Sequence, residues 1–453
     1  MKRIKWIFVI LLVLVTVLYW VSLTDIERSL TPWALRKSVL YYTGIMSFVA
    51  MTVGVILAMR LRTVERWLGG LDTHYRLHKW LGITAALFAL AHWLSKKYKW
   101  LVELGLYERK DFSTPKGLTD FFQHNNFFDP LEDLAQDLGE WALYALLLLA
   151  VLALWKKFPY RYFFKTHRIL ALIYLILAFH TLILFGKIAW LTPVGLLVGV
   201  LLLIGIPAAC LSLFKQIGAT HRASGLISQI RLHEDGKITE VEVTLTTPWE
   251  GHKEGQFAFV TFDHREGHHP FTLSSSWKND ARLTFHIKQL GDYTRTLSHT
   301  LHAGDPVTVE GPYGKFDFAA DTGPQIWIAG GIGITPFLSR LEALAHAPAP
   351  APAFALAQAS QPITLFYSAR DSDHALIERV EHLTKQAGVP LHLSISGRNP
   401  ALTAQTIRES VPDLINRTVW FCGSSGFGKA IKRGLSKEGL PGRRFHQELF
   451  EMR

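Results

Sequence analysis

The sequence predicts a multidomain protein that combines an all-α six-span membrane bundle, an antiparallel β-barrel and a doubly wound α/β domain. Three observations support this fold class. Apolar stretches of membrane-spanning length fill residues 1–214. Short β-type runs separated by Gly, Pro and Asp turns occupy residues 215–321. Strand and helix patterns then alternate through residues 322–453, which is typical of a parallel sheet covered by helices.

The composition places part of the chain in lipid. Only 19% of the 453 residues are charged and 49% are hydrophobic, with a net charge of +11. Much of the positive excess lies in short loops beside apolar stretches, so nothing indicates nucleic-acid binding. The only cysteines are Cys210 and Cys422, which excludes a disulfide framework and an iron–sulfur cluster held by four cysteines.

Six apolar segments have the length that a membrane span requires. They cover residues 4–23, 39–59, 79–95, 139–155, 168–186 and 189–213. The first has a long apolar core and no small-residue cleavage site before Asp25, so we interpret it as a retained anchor. The loops after the second and fourth spans each carry five basic residues, whereas residues 96–138 hold eight acids against six bases. Both termini are therefore expected in the cytoplasm.

Histidines recur within two spans at nearly equal spacing. His78 and His92 are fourteen residues apart, which places them about 21 Å apart on one helix and nearly on one face. His167 and His180 are thirteen apart, and because an ideal helix offsets such a pair by about 140°, we expect a local distortion or different ring directions. Ionisable side chains inside a membrane are costly and usually functional.

This repetition predicts four axial ligands for two stacked haems. A single intramembrane histidine more often forms a hydrogen bond between helices, but two matched pairs favour ligation. With both termini inside, pairing across the two helices gives an inner site at His78 and His167 and an outer site at His92 and His180. His74 is the second choice as inner ligand, because its side of the helix is more polar.

The second half of the chain contains two successive patterns. Strands are expected at residues 225–232, 238–245, 255–262 and 282–288 of the barrel. The α/β domain is expected to have strands at residues 325–329, 363–368, 391–396 and 418–421, and helices at residues 336–345, 375–386 and 428–438. The Ala- and Pro-rich residues 346–362 are interpreted as a flexible insertion.

Four short motifs follow one another in this half. They are HPFTLSS at 269–275, GDYT at 291–294, GPYG at 311–314 and AGGIGITP at 329–336. In this order they resemble the ferredoxin–NADP reductase type of flavoprotein. Together with six spans and two histidine pairs, nearly the whole chain resembles the NADPH oxidase and ferric reductase transmembrane family, in a bacterial form.

The resemblance implies an FAD site in the barrel. Its residues are His269, Pro270, Phe271, Thr272, Lys288, Gly291 and Thr294. In such a site the Phe271 ring lies against the isoalloxazine, and Lys288 and Thr294 hold the pyrophosphate. Barrel core is the alternative role for Phe271.

The resemblance also implies an NADPH or NADH site in the α/β domain. Its residues are Gly330, Gly331, Gly333, Thr335, Pro336, Arg370, Arg398, Gly423 and Glu448. Arg370 or Arg398 would hold a 2′-phosphate, which favours NADPH, whereas Asp371 and Asp373 keep NADH open. Cys422 would lie near the hydride path, although Ser424 stands where the family usually has Pro, and Phe450 would stack on the flavin until the nicotinamide displaces it.

The expected activity is electron transfer from cytosolic NADPH through FAD and two haem b groups to an acceptor outside a bacterial inner (cell) membrane. Molecular oxygen, giving superoxide, is the first choice and a ferric chelate the second. Arg36 is the candidate outer charge that favours superoxide, with an interfacial anchor as its alternative role. Two other hypotheses remain. One is an electron-transfer module for a periplasmic partner protein that docks on residues 96–138, and the other is a membrane-anchored reductase without haem.

Overall fold

The computed structural model describes residues 2–24, 28, 31–97, 129–155, 157–185, 188–233, 237–318, 321, 323–346, 363–370 and 374–448. These residues form two compact units that divide between Ile217 and Gly218. Most of the predicted outer loop, the Ala/Pro insertion, Asp371, Asp373 and Phe450 lie outside the described residues.

The first unit is entirely helical in the part of the chain that the structure describes. Its helices are α1 Lys2–Ser22, α2 Pro32–Ala58, α3 Arg62–Leu68, α4 Leu71–Lys96, α5 Asp129–Leu154, α6 Tyr160–Leu184 and α7 Pro193–Leu213. Helices α2 and α7 begin in the same way: a threonine hydroxyl accepts a hydrogen bond from a backbone N–H of the first turn, and a proline follows the threonine. The side chains are Thr31 and Thr192.

Five of these helices, α1, α2, α5, α6 and α7, are long and apolar enough to cross a membrane, in a search confined to the described residues. Helix α4 has a comparable 26 residues but is more polar, because it carries His74, His78, Lys79 and His92. The third predicted span is therefore present as a helix, and its crossing of the membrane stays a prediction. Helices α4 and α5 also begin about ten residues before the predicted apolar windows, because polar residues continue each helix.

The helices pack in a few close pairs. Helix α2 lies against α4, α5 lies against α6, and α7 contacts both α2 and α6. Two buried polar contacts join helices of this unit: the Ser47 hydroxyl of α2 donates to the Ala85 carbonyl of α4 at 2.9 Å, and the hydroxyls of Thr52 in α2 and Tyr174 in α6 lie 3.0 Å apart. A Cβ at Gly205 would collide with the Tyr174 hydroxyl, so this glycine lets α7 approach α6.

The second unit begins with an antiparallel sheet. Its elements are β1 Arg222–Leu232, β2 Ile238–Leu245, β3 Phe257–Thr261, β4 His269–Thr272, β5 Arg282–Lys288, α8 Asp292–Thr300 and β6 Pro306–Tyr313. The strand order is β4-β3-β6-β1-β2-β5. Because the Ser274 N–H donates to the Thr284 carbonyl at 2.9 Å, the two edge strands approach one another and the sheet forms a nearly closed barrel.

A five-stranded parallel sheet follows the barrel. Its elements are β7 Gln325–Gly330, α9 Thr335–Ala345, β8 Ile363–Arg370, α10 His374–Gln386, β9 Leu391–Ser396, α11 Ala404–Ser410, β10 Thr418–Cys422, α12 Ser425–Lys437 and β11 Phe445–Glu448. The order β11-β10-β7-β8-β9 reverses between β7 and β10, and such a reversal is where open α/β sheets bind ligands. The predicted fold class is confirmed.

Helix α9 fixes the parallel sheet to the barrel. The Ser339 hydroxyl donates to the Ser275 carbonyl at 2.8 Å. The Glu342 carboxylate accepts from the Ser276 N–H at 3.1 Å and lies 2.7 Å from Lys278 Nζ. These contacts hold the segment after β4 against the helix that follows the glycine-rich turn.

Candidate functional site

The structure brings the four histidines that were predicted as ligands on α4 and α6 together in two pairs. The ring centroids of His78 and His167 are 5.8 Å apart, and those of His92 and His180 are 6.2 Å apart. Helix α4 supplies one ring of each pair and α6 supplies the other. Because α6 runs without interruption from Tyr160 to Leu184, different ring directions rather than a break accommodate the thirteen-residue spacing.

Hydrogen bonds to neighbouring helices determine which ring nitrogen faces the partner. Nδ1 of His78 bonds to the Gly54 carbonyl at 2.9 Å, Nδ1 of His92 to the Leu40 carbonyl at 2.8 Å, and Nδ1 of His180 to the Ala135 carbonyl at 2.8 Å. A carbonyl only accepts, so each Nδ1 carries the proton and each Nε2 keeps its lone pair.

His167 is oriented differently from the other three. Within the described part of the chain its Nδ1 has no hydrogen-bond partner. Its ring instead stacks on Phe163, one turn earlier in α6, with centroids 4.9 Å apart and planes 23° from parallel. An aromatic contact within its own helix therefore sets the direction of this ring.

Glycines provide the space in which three of these rings lie. A Cβ at Gly44 would be 3.0 Å from His92 Nδ1, and one at Gly54 would be 3.8 Å from His78 Nδ1. A Cβ at Gly139 would overlap His180 Nδ1. Sequence reasoning missed these glycines. Their position inside long helices could have identified them. Glycine destabilises the interior of a helix, so a glycine there usually allows another group to pack closely.

We expect Gly139→Ala to displace the His180 ring and to weaken the binding of the haem that is predicted between His92 and His180. The added methyl overlaps Nδ1, which the ring needs for its bond to the Ala135 carbonyl. The matched control is Gly82→Ala in α4, where a Cβ meets no atom within 4 Å. Both changes raise helix propensity by about 1 kcal/mol, so helix content and thermal unfolding should not distinguish them. Absorption spectroscopy of the purified variants tests this, and equal spectra would contradict it.

Charged side chains gather where the last turn of α4 lies beside the first half of α5. Glu140 Oε1 accepts from Tyr144 OH at 2.7 Å and from Trp93 Nε1 at 3.3 Å, and it lies 3.0 Å from Lys97 Nζ. Arg36 Nε donates to the Ser95 carbonyl at 3.2 Å, so its guanidinium caps the last turn of α4. The role of Arg36 toward an acceptor stays a prediction.

The barrel motif around β4 forms an aromatic stack. The ring of His269 lies 4.4 Å from that of Tyr293 and 6.3 Å from that of Phe271, with planes 22° and 23° from parallel. Burial lowers the pKa of His269 to about 4, so the ring is neutral at neutral pH. Burial likewise raises the pKa of Tyr293, and the nearby carboxylates of Asp263 and Glu266 add to this. Sequence reasoning gave Tyr293 no role, although the GDYT motif contained it.

We expect the stability of this half to fall as the pH falls below about 6.5. Burial lowers the pKa of His252, His269 and His446 from 6.5, so the unfolded chain takes up protons that the folded chain excludes. The stabilisation is therefore present above pH 6.5 and is lost as the pH approaches the folded values. Urea unfolding between pH 8 and 5, followed by flavin fluorescence, measures it. His269→Gln should flatten the slope and the exposed His302→Gln should leave it unchanged.

The glycine-rich turn after β7 lies against two other predicted site residues. Gly331 has a φ of +55°, and a Cβ there would be 3.8 Å from Lys288 Nζ. A Cβ at Gly333 would overlap the Cys422 carbonyl oxygen, and one at Gly330 would lie 3.0 Å from the Phe427 ring. The turn therefore joins the ends of β5, β7 and β10. The Thr335 hydroxyl donates to the Ile332 carbonyl at 3.0 Å, and Pro336 occupies the first turn of α9.

Cys422 and Glu448 occupy paired positions on neighbouring strands β10 and β11. Burial raises the pKa of the Cys422 thiol, with a further contribution from the Glu448 carboxylate, so the thiol is protonated. A Cβ at Gly423 would be 3.3 Å from Gly330, and one at Gly314 would be 3.4 Å from Glu448 Oε1. The end of β10 at Cys422 therefore adjoins the glycine-rich turn, and Glu448 adjoins the GPYG motif.

For the other predicted site residues, the described part of the chain shows no contact with the glycine-rich turn. The Thr294 hydroxyl accepts from the N–H groups of Leu290 and Gly291 at 2.9 and 3.0 Å, which caps α8. Arg398 is exposed just after β9. Arg370 ends β8, but its side chain, like all of Phe450, lies outside the described residues. Their contacts with a pyrophosphate, a 2′-phosphate or a flavin stay predictions.

Two family models match the chain, one in each unit. A ferric reductase like transmembrane component matches residues 43–178, which include α4 and most of α6. An FAD-binding domain matches residues 229–317, which include β2 to β6. The chain has the NADPH oxidase and ferric reductase-like architecture. These matches give an oxidoreductase in which a ferric reductase like transmembrane component precedes an FAD-binding domain.

Curated relatives match about half of the chain. The glycine betaine monooxygenase reductase subunit of Chromohalobacter salexigens is 25% identical over 209 residues, which are 44% of this chain and 56% of that protein. A flavohemoprotein of Rhodopirellula baltica is 24% identical over 296 residues, which are 52% of this chain and 69% of that protein. The chain thus spans little more than half the length of the first relative.

Among solved structures, flavohemoglobin from Malassezia yamatoensis aligns with 93% of this chain and 99% of its own. Its TM-score is 0.46 and its sequence identity is 14%. Amycolatopsis cytochrome P450 reductase GcoB aligns with 51% of this chain and 69% of its own, with a TM-score of 0.43 and 21% identity.

Proposed function

We propose that the chain passes electrons from cytosolic NADPH through FAD and two haem b groups to molecular oxygen on the outer side, which yields superoxide. The observation that carries this proposal is the pairing of four histidines, three of which keep the Nε2 lone pair because Nδ1 donates to a backbone carbonyl. The proposed domains are the bis-haem bundle at 1–214, the FAD barrel at 215–321 and the NAD(P) domain at 322–453.

The two histidine pairs have the dimensions that a bis-histidine haem requires. Imidazole nitrogen lies about 2 Å from a bound metal, so two rings on opposite faces of one iron have centroids about 6 Å apart. The observed separations are 5.8 Å for His78 and His167 and 6.2 Å for His92 and His180. Metal-ligating histidines also usually donate their other N–H to a carbonyl or carboxylate, as three of these four do.

The chain's own groups position the cofactors. When bound, FAD accepts a hydride from NADPH and the haem irons change oxidation state, so the cofactors supply the redox chemistry. Lys288 and the N–H groups of Gly330, Gly331 and Gly333 would hold phosphates at the reversal point of the parallel sheet. The neutral, stacked His269 and Phe271 would face the flavin ring, and the buried Cys422 thiol would lie beside the nicotinamide.

The placement in the cell is also part of the proposal. The basic loops after the second and fourth spans support a bacterial inner membrane orientation with both termini in the cytoplasm. His92 and His180 then form the outer site, beside the end of α4 that Arg36 caps. This charge favours an anionic product there.

A ferric chelate is the second candidate acceptor, because the same outer site and the same positive charge would serve an anionic chelate. A periplasmic protein acceptor would require a docking surface in residues 96–138, of which 98–128 lie outside the described residues. The purified chain would therefore reduce oxygen or a ferric chelate by itself, whereas a protein acceptor would have to be added.

The test uses the full chain in detergent, with the haem spectrum followed during NADPH addition. Without oxygen, NADPH should reduce both haems completely. Readmitted oxygen should reoxidise them and produce superoxide that superoxide dismutase removes, and a ferric chelate should compete. Haems that reduce but reoxidise with neither acceptor would favour a protein partner. A colourless preparation that still oxidises NADPH would overturn the proposal.

A further inference from the structure

Three potential metal ligands, none of which the proposed function uses, converge on the outer face of the barrel. His233 follows β1, Glu240 lies in β2 and His286 lies in β5. Glu240 Oε2 is 3.6 Å from His233 Nε2 and 3.8 Å from His286 Nε2. One ligand atom from each residue lies within 4.8 Å of the other two.

The position of His286 explains how a polar ring is buried on an outer face. Its neighbours Phe285 and Ile287 belong to the barrel core, so the alternation along β5 points His286 to the other side. That side is covered where α10 meets the sheet, because Arg379 Nη1 lies 3.5 Å from Glu240 Oε1. The His286 side chain is 0% exposed.

The His286 ring has unused coordinating capacity. Among the described residues neither of its nitrogens has a hydrogen-bond partner, which is costly for a buried polar group. Burial also lowers the pKa of His286 to about 3, so the ring is neutral and forms no strong ion pair with Glu240. A neutral imidazole is the form that binds metals.

We propose that His233, Glu240 and His286 bind a divalent transition-metal ion, with Zn²⁺ as the ion that the ligand set fits best. Two histidines and one carboxylate are a common three-ligand zinc set, which leaves one position for water. Ligands of a tetrahedral ion at 2.0–2.1 Å lie about 3.4 Å from one another, so the observed 3.6 and 3.8 Å need only a small contraction. Calcium and magnesium prefer all-oxygen sites.

The Glu240 carboxylate can bind the ion with one oxygen and contact Arg379 of α10 with the other. Oε2 faces the two imidazoles, whereas Oε1 faces the Arg379 guanidinium. A bound ion would therefore connect three barrel strands and, through the other oxygen, the helix beside them. We expect Zn²⁺ to raise the unfolding temperature of this half for that reason.

The test uses the full chain without a histidine tag, stripped with a chelator and titrated with Zn²⁺ against a chromophoric chelator. Haem and flavin contents are measured in parallel, and elemental analysis counts bound zinc. The wild type should bind one tight Zn²⁺ per chain. His233→Ala and Glu240→Gln should weaken that site by more than about 100-fold, beyond the usual effect of losing an outer partner of a ligand.

His302→Ala is the matched control, because His302 also faces a carboxylate, Asp305 at 3.7 Å, but is exposed. It should keep the tight site. His233 is not among the residues assigned to the flavin, so its variant should retain normal flavin and report on binding alone. The proposal is overturned if the wild type binds no zinc tightly, or if His233→Ala binds it as well as the wild type does.

Discussion

If the two proposed haems bind at the histidine pairs, His180→Leu should remove one of them, which lowers the haem content of the purified chain by about half and stops the delivery of electrons to the outer acceptor. Leucine fills a similar volume in an apolar helix but offers no nitrogen to a metal. His92 would be left without the ring that now lies 6.2 Å away. Pyridine haemochrome analysis gives the stoichiometry, and NADPH-driven superoxide or ferric reduction gives the transfer rate. The remaining haem should still be reduced by NADPH.

His74→Leu separates ligation from a general effect of losing an intramembrane histidine. His74 is buried in α4, one turn before His78, but the ring that lies 5.8 Å from His167 is that of His78. We therefore expect His74→Leu to keep both haems. Two haems in His180→Leu would mean that this histidine is structural.

Gly333→Ala should reduce the rate of flavin reduction by NADPH by about 100-fold, the loss that a displacement of 1 Å at a reacting site can cause. The new methyl would overlap the Cys422 carbonyl oxygen and also lie 2.8 Å from the Gly423 N–H. Backbone atoms cannot rotate away as a flexible side chain can. The glycine-rich turn must therefore move away from the end of β10, where the nucleotide is expected to bind. Stopped-flow bleaching of the flavin measures the rate.

Gly426→Ala is the control for this turn. Gly426 lies in α12, just beyond the end of β10, and a Cβ there meets no atom within 4 Å. It should leave flavin reduction unchanged. Equal rates in both variants, with normal flavin content, would show that the turn tolerates a side chain and does not bind the phosphates closely.

Regular patterns in the sequence predict most of the fold. The expected strands at 238–245, 282–288 and 391–396 coincide with β2, β5 and β9 because apolar and polar residues alternate along each of them. Strands β4, β6 and β11 were not predicted. β4 and β11 have only four residues each, and β6 contains the Gly-Pro of the GPYG motif. Their identity as strands depends on neighbours that are distant in the sequence.

The parts of the site that lie on one helix could be predicted from the spacing of their residues in the sequence. The fourteen-residue spacing of His78 and His92 gives their separation directly. By contrast, the carbonyls of Leu40 and Ala135 belong to other helices, and no local pattern marks them. The cluster of His233, Glu240 and His286 joins three strands, so its members are adjacent only after the sheet has formed.

Because of the hydrogen bonds from Nδ1, haem absorbance should report whether the membrane helices have packed correctly. Helices α4 and α6 carry the rings, but α2 and α5 supply the carbonyls that aim them. If haem enters as proposed, a chain in which α2 or α5 has inserted but not yet docked would stay pale. The colour of a membrane fraction would then count correctly assembled bundles, independently of the flavin half and of any acceptor.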